Sequence, residues 1–214
     1  MPAARPATAG DARPVQLGVI VDWQGRDLAN MNLEALRAFR QAFGDVAVLH
    51  VVSPAYFLRP GLTDADRQAI TLAIKSAIQP ADHLGIALVG WKSLAAKAGV
   101  IFRDSPTFWS EALSPGDCAF DCGIDVPLHL YPEKDLDQLF AAGLDTLEAN
   151  GFGRPNALIT EGWMAAPEVL AAAARAGIRY DFSAVAPELI APRTKHYPIY
   201  QWVKALWQIG RAHV

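Results

Sequence analysis

The sequence predicts an α/β fold in which a parallel sheet is covered by helices. Two observations lead there. Apolar runs at Gln16–Asp22 (QLGVIVD), Val46–Val52 (VAVLHVV) and Leu84–Val89 (LGIALV) lack the in–out alternation of a half-exposed strand. Strands of that kind are buried on both faces, as in a parallel sheet. Between and after them lie segments with helical periodicity and capping residues, and strands alternating with helices build βαβ units. With 214 residues the chain is long enough for one domain with a substantial core.

The elements follow in order. Residues 1–14 (MPAARPATAGDARP) lack the apolar stretch of a secretory signal and read as a flexible leader, so a cytoplasmic location is expected. After the first strand, Asn32 suits the N-cap of a helix, NLEALRAFRQAF, that ends near Gly44. Thr63 and Asp66 have the spacing of a capping box at the start of DADRQAITLAIKSAI. KSLAAKAGV after Trp91 reads as a short helix, and FRDSPTFWSEALSPGD as a long loop or cap over one face. Val126–His129 reads as a strand end and Glu133–Asn150 as a helix closed by Gly151. Ala157–Trp163 (ALITEGW) begins as a short apolar strand, Pro167 opens a helix that Gly177 ends, and Ile178–Asp181 (IRYD) is a further strand. The closing hexapeptide IGRAHV is what a widely used sequencing adapter encodes in one frame. Residues 15–207 are therefore expected to form the domain, and 208–214 a non-native read-through tail.

Composition narrows the function. Hydrophobic residues make up 52% and charged residues 19%, a globular composition. A net charge of −3 gives no basic surplus for nucleic acid, and no apolar run reaches the length of a membrane span. The two cysteines, Cys118 and Cys122, are too few for a disulfide framework; they read as buried thiols, with local pairing as the alternative.

Chemistry in a β/α protein concentrates at the carboxyl ends of strands. Asp22, His129, Glu161, Trp163 and Asp181 stand at or next to such positions. From Ile124 to Val185 the order of parts resembles the NodB-homology polysaccharide deacetylases, carbohydrate esterase family four. There a Gly-His-Glu-φ-Gly-x-His-x-x-x-His segment supplies two metal-binding histidines. A helix follows, then a strand ending in an Arg-x-Pro-aromatic type motif, then P-x-x-L on a helix, then a strand ending in Asp. The match is good over the second half of the chain and loose over the first.

The resemblance implies an irregular or incomplete parallel β/α barrel, a NodB-like distorted TIM barrel. It implies metal-dependent hydrolysis of an N-acetyl bond on a carbohydrate, through a divalent metal, zinc. Asp22, His129 and Glu133 are the metal set it implies, with Glu133 where the second histidine usually stands. Catalytic roles fall on Asp22, Glu161 and Asp181. Gln24, near Asp22, cannot act as a base, and Asp27 lies further on. Ile159 occupies the arginine position of the family motif, so Glu161 enters as a replacement base. Trp163 is the candidate sugar-stacking wall, with Tyr131 and Trp91 as further substrate contacts. The altered positions leave a second reading open: a weakened or inactive member that binds a carbohydrate or a partner. The family's second catalytic histidine is expected beyond Trp207.

Overall fold

The computed structural model describes residues 18–211 apart from 24–27, 29, 45, 111, 114–117 and 119–120. The leader, Gln24 and Asp27 lie outside the described residues. Five strands form one sheet in sequential order: β1 (Val19–Trp23), β2 (Val48–Val52), β3 (His83–Leu88), β4 (Ala157–Thr160) and β5 (Tyr180–Asp181). Every adjacent pair is parallel. Crossovers between parallel strands are right-handed. When each one steps to the next strand in the same direction, the helices gather on one face.

That is the arrangement found. Eight helices are described: α1 (Asn30–Ala42), α2 (Ala55–Leu58), α3 (Asp64–Lys75), α4 (Lys92–Ala98), α5 (Glu133–Ala149), α6 (Pro167–Arg175), α7 (Pro187–Thr194) and α8 (Pro198–Arg211). Val52, Ile86, Leu88 and Leu158 meet Leu36 of α1, Ile74 of α3, Leu94 of α4, Leu136, Phe140 and Leu144 of α5 and Val169 of α6 in one core. Alternation turns Val51, Ala87 and Ile159 to the opposite face, where they form a small separate cluster with Leu49. Among the described residues the sheet is open, with β1 and β5 at its edges.

The capping box predicted for α3 is present: the Thr63 hydroxyl accepts from the Asp66 backbone N–H, and the Asp66 carboxylate accepts from the Thr63 N–H. Two expectations need correction. Val126–His129 is not a strand, because Leu128–Leu130 form a 3-10 turn between Pro127 and Pro132. Pro127 has no N–H for a ladder, and its carbonyl closes the turn by accepting from Leu130. Cys118 and Cys122 are not free thiols; they form a disulfide. Disulfides of this kind persist in oxidising compartments. Among the described residues no helix is long and apolar enough to cross a membrane.

A buried polar chain ties the first two strands to α1. The Trp23 indole N–H donates to His50 Nδ1 at 3.1 Å. An indole nitrogen can only donate, so Nδ1 is the acceptor and Nε2 carries the proton. Nε2 lies 3.1 Å from Asp82 Oδ2, and Arg40 bonds the same oxygen. Backbone N–H groups of Val48 and Gln79 also donate to the Asp82 carboxylate, at 2.9 and 2.7 Å. Burial works against ionisation of Asp82, but the Gln79 N–H, Arg40, the Val48 N–H and His50 together hold its carboxyl down at about 2. Burial lowers the pKa of His50, with Asp82 pulling the other way.

Candidate active site at the carboxyl edge of the sheet

Parallel strands deliver their carboxyl ends to one edge, and there the chain places two acids from well-separated strands. Asp22 is the penultimate residue of β1. Alternation puts it on the face away from the helices, since Val21 and Trp23 pack toward them. Glu161 follows directly on β4. Its Oε2 is enclosed without a hydrogen-bond partner among the described residues. Burial pushes the Glu161 carboxyl up to about 7, against the Gly162 backbone N–H, and the charges of Asp22 and Asp125 push it the same way. Asp22 is itself pushed up to about 6 by the protein packed around it, although solvent still reaches it. Glu161, the more enclosed of the two, is thus the group that holds a proton close to neutrality.

The turn after β4 is shaped by backbone that side chains rarely adopt. Gly162 has φ 67° and Trp163 φ 51°. A bulky residue in the left-handed region stores strain of order 1–3 kcal/mol. The result is a tryptophan turned outward and 50% exposed beside an enclosed acid. Gly162 has a second constraint. A Cβ there would stand 2.8 Å from Cζ of Phe108, whose buried ring lies against it. Phe108 belongs to a second small core with Met164 and with Ile199 and Val203 of α8.

Other residues join the edge from the loop that precedes Cys118. The Phe108 N–H donates to the Asp125 carbonyl at 2.8 Å. The Trp109 indole N–H donates to Asp125 Oδ1 at 2.9 Å. Trp109 also packs edge-to-face against Tyr197, with ring centroids 5.4 Å apart. The sequence marks this loop as a cap over one face, but none of Trp109, Asp125 and Tyr197 stands out along the chain as a site residue. The available signal was two aromatics, Phe108 and Trp109, inside a polar, turn-rich segment.

The remaining expected site residues divide. Asp181 accepts from the Ser183 N–H at 3.0 Å, and the Ser183 hydroxyl accepts from the Thr160 N–H at 2.8 Å. Asp181 therefore props the strand end that bears Glu161. Tyr131 and Trp91 lie in the core, 2% and 3% exposed, and the Tyr131 hydroxyl accepts from the Arg103 N–H. Ile159 is buried on the face opposite the helices. His129 packs edge-to-face on Trp202 of α8; burial lowers its pKa, and the charge that acts on it is that of Glu168. Glu133 is exposed and ion-paired with Arg175 at 2.8 Å. Among the described residues, no three His, Cys, Asp or Glu side chains stand where they could hold one metal ion. Asp22, His129 and Glu133 are not brought together as one such group. A recess of about 610 Å³ exists elsewhere, at the amino-terminal end of the strands, between Leu49, His83, Ala157, Tyr180 and Phe182. It contains none of the acids described above.

Fold and edge together define an α/β protein with two carboxyls, Asp22 and Glu161, and an aromatic rim at the carboxyl end of a sequentially ordered parallel sheet. No family model matches the chain, and no curated protein matches it. Among solved structures, a family 4 carbohydrate esterase from Streptomyces lividans in complex with acetate is similar to it, with a TM-score of 0.45 and 10% sequence identity. The similarity covers 77% of this chain and 60% of that one, so the chain spans less than two thirds of that structure's length.

Proposed function

We propose that the chain is a polysaccharide deacetylase-like hydrolase that cleaves the N-acetyl bond of a carbohydrate. The observation that supports this best is Glu161, an enclosed carboxyl that keeps its proton to about pH 7 at the same strand edge as Asp22. Amide hydrolysis needs a base to take a proton from the attacking water and an acid to protonate the departing nitrogen. Two carboxyls in different environments divide those roles. The Asp22 carboxylate takes the proton as the water oxygen bonds to the acetyl carbon. Glu161 then gives its proton to the nitrogen as the C–N bond breaks, leaving acetate and a free amine. Trp163 offers an exposed ring against which the apolar face of a sugar packs. The sequential parallel order of the strands agrees with a wall of a β/α barrel, which is the fold that goes with this reading.

The test is acetate release from chitooligosaccharides across pH. The wild type is expected to show a bell whose limbs belong to the acid pair and fall near 6 and 7. Glu161→Gln should lower the rate by roughly 10²–10⁴-fold. A Glu161→Gln variant as fast as wild type would refute the assignment. A second reading, carbohydrate binding without turnover, is favoured by Ile159 at the arginine position and by the engagement of Glu133 with Arg175. It predicts oligosaccharide binding with no acetate released at any pH.

A further inference from the structure

Trp109 and Tyr197 sit on the rim with their rings exposed, 44% and 43%, yet Trp109 is not a loose surface side chain. Its indole N–H is tied to Asp125. Its backbone N–H donates to the Thr107 hydroxyl at 3.2 Å, and the same hydroxyl accepts from the Ser110 N–H at 2.9 Å. Asp125 anchors the loop a second time through its carbonyl, which accepts from Phe108. Phe108 in turn lies on Gly162. Trp109 and Trp163 thus each follow directly on one member of a packed pair, and the two exposed indoles belong to one rim. A carboxylate spent on fixing an exposed tryptophan gains the fold little, because exposed polar contacts contribute little to stability. It gains a ligand site a pre-oriented aromatic face, which lowers the ordering cost of binding.

We propose that Trp109 and Tyr197 form a second sugar subsite beside the Trp163 platform, that it takes a further pyranose unit of the same glycan, and that Asp125 is its positioning residue. This rests on the carbohydrate reading above. Aromatic rings pack on the apolar face of a pyranose, and Trp109 and Trp163 are each the next residue after one member of the Phe108–Gly162 contact.

The experiment is calorimetric titration of the whole chain with chitooligosaccharides of increasing length, and it reads binding, not turnover. Binding is the right readout because the Asp125 charge also acts on Glu161. From the disaccharide to the tetrasaccharide the wild type should gain about tenfold in affinity, the scale of one aromatic contact. Trp109→Ala should lose that gain while keeping the disaccharide affinity. Asp125→Ala should behave like Trp109→Ala, and Asp125→Asn, which still offers the indole an acceptor, should keep most of the gain. Near-UV circular dichroism of each variant confirms that the fold is retained. Persistence of the full gain in Trp109→Ala would overturn the subsite, and so would a wild type with no gain; both leave the acid-pair reading standing. A wild type that binds no chitooligosaccharide of any length would overturn both.

Discussion

Gly162 offers the sharpest test of how the acid edge is built. Gly162→Ala puts a methyl group where the structure leaves 2.8 Å to Cζ of Phe108, with Cε1 and Cε2 at 3.1 and 3.2 Å. The ring cannot swing away, because Phe108 is 1% exposed and held by Met164, Ile199 and Val203. Overpacking of this kind costs roughly 1–3 kcal/mol. The left-handed backbone, at φ 67°, adds about 1–2 kcal/mol for any residue with a Cβ. The stiffer unfolded chain of the alanine variant returns about 0.4–1 kcal/mol. The net loss is about 3 kcal/mol, or a fall in Tm of roughly 6–12 °C for a chain of this size.

Gly153 is the internal control: its φ is also 67°, but a Cβ there meets nothing within 4 Å. Gly153→Ala should therefore lose about 1 kcal/mol or less. Urea denaturation of both variants isolates the clash. A Gly162→Ala, Phe108→Leu double variant should recover about 1 kcal/mol relative to the sum of the single changes. Equal losses in the two glycine variants would show that Phe108 does not lie on the turn.

Three other outcomes follow from the polar groups and the bridge. Glu161 titrates at about 7 in the fold against 4.5 for an ordinary glutamate, so the native state favours its protonated form. As pH rises from 4.5 the unfolded chain releases the proton first, and stability falls by about 3 kcal/mol until pH 7; Glu161→Gln should flatten that slope in urea melts, and an unchanged slope would refute the burial. Asp82→Ala strands Arg40, His50 and two backbone donors and should cost about 3–5 kcal/mol by chemical denaturation. With its carboxyl held at about 2, Asp82 stabilises the fold above pH 3.8, and that contribution disappears as pH falls through 2. The Cys118–Cys122 bond closes only a short loop, and its reduction should lower stability by about 2 kcal/mol, read as a Tm shift between oxidised and reduced samples.

Local rules were readable where local chemistry decides the outcome. Thr63 and Asp66 satisfy each other's backbone donors within one turn, so the start of α3 follows from four residues. Pro167 and Gly177 bracket α6 for the same reason. Asn32 reads as the N-cap of α1, whereas the helix begins at Asn30. His129 shows where pattern fails: LHL alternates like a strand, but the flanking prolines and the Leu130-to-Pro127 hydrogen bond decide for a turn. The acids at the ends of β1 and β4 were readable because strand ends can be counted along the chain. Their joint effect on Glu161 was not, since it depends on burial and on Asp125, residues far apart in sequence. Trp91 and Tyr131 look like rim aromatics in one dimension, and only packing shows that they are core. Glu133 likewise offers a ligand on paper until Arg175, a helix away, is seen to engage it.

The sequential order of the sheet has a consequence for how the chain acquires its shape. Among the described residues no strand pairs with one that precedes its immediate predecessor, so each can dock on an edge already made as the chain leaves the ribosome. The pauses are unequal. Val48 finds Val19 after one helix and His83 finds Leu49 after two, but Leu88 must wait for Thr160, beyond α4, the disulfide and the whole of α5. During that interval the apolar edge of β3 is open to other chains, and closing so long a loop carries the largest entropic cost in the sheet. The expected weak point in biogenesis is therefore the arrival of β4, and with it of Glu161. A nascent chain stalled before Ala157 should be captured by holdase chaperones and released once β4 has emerged.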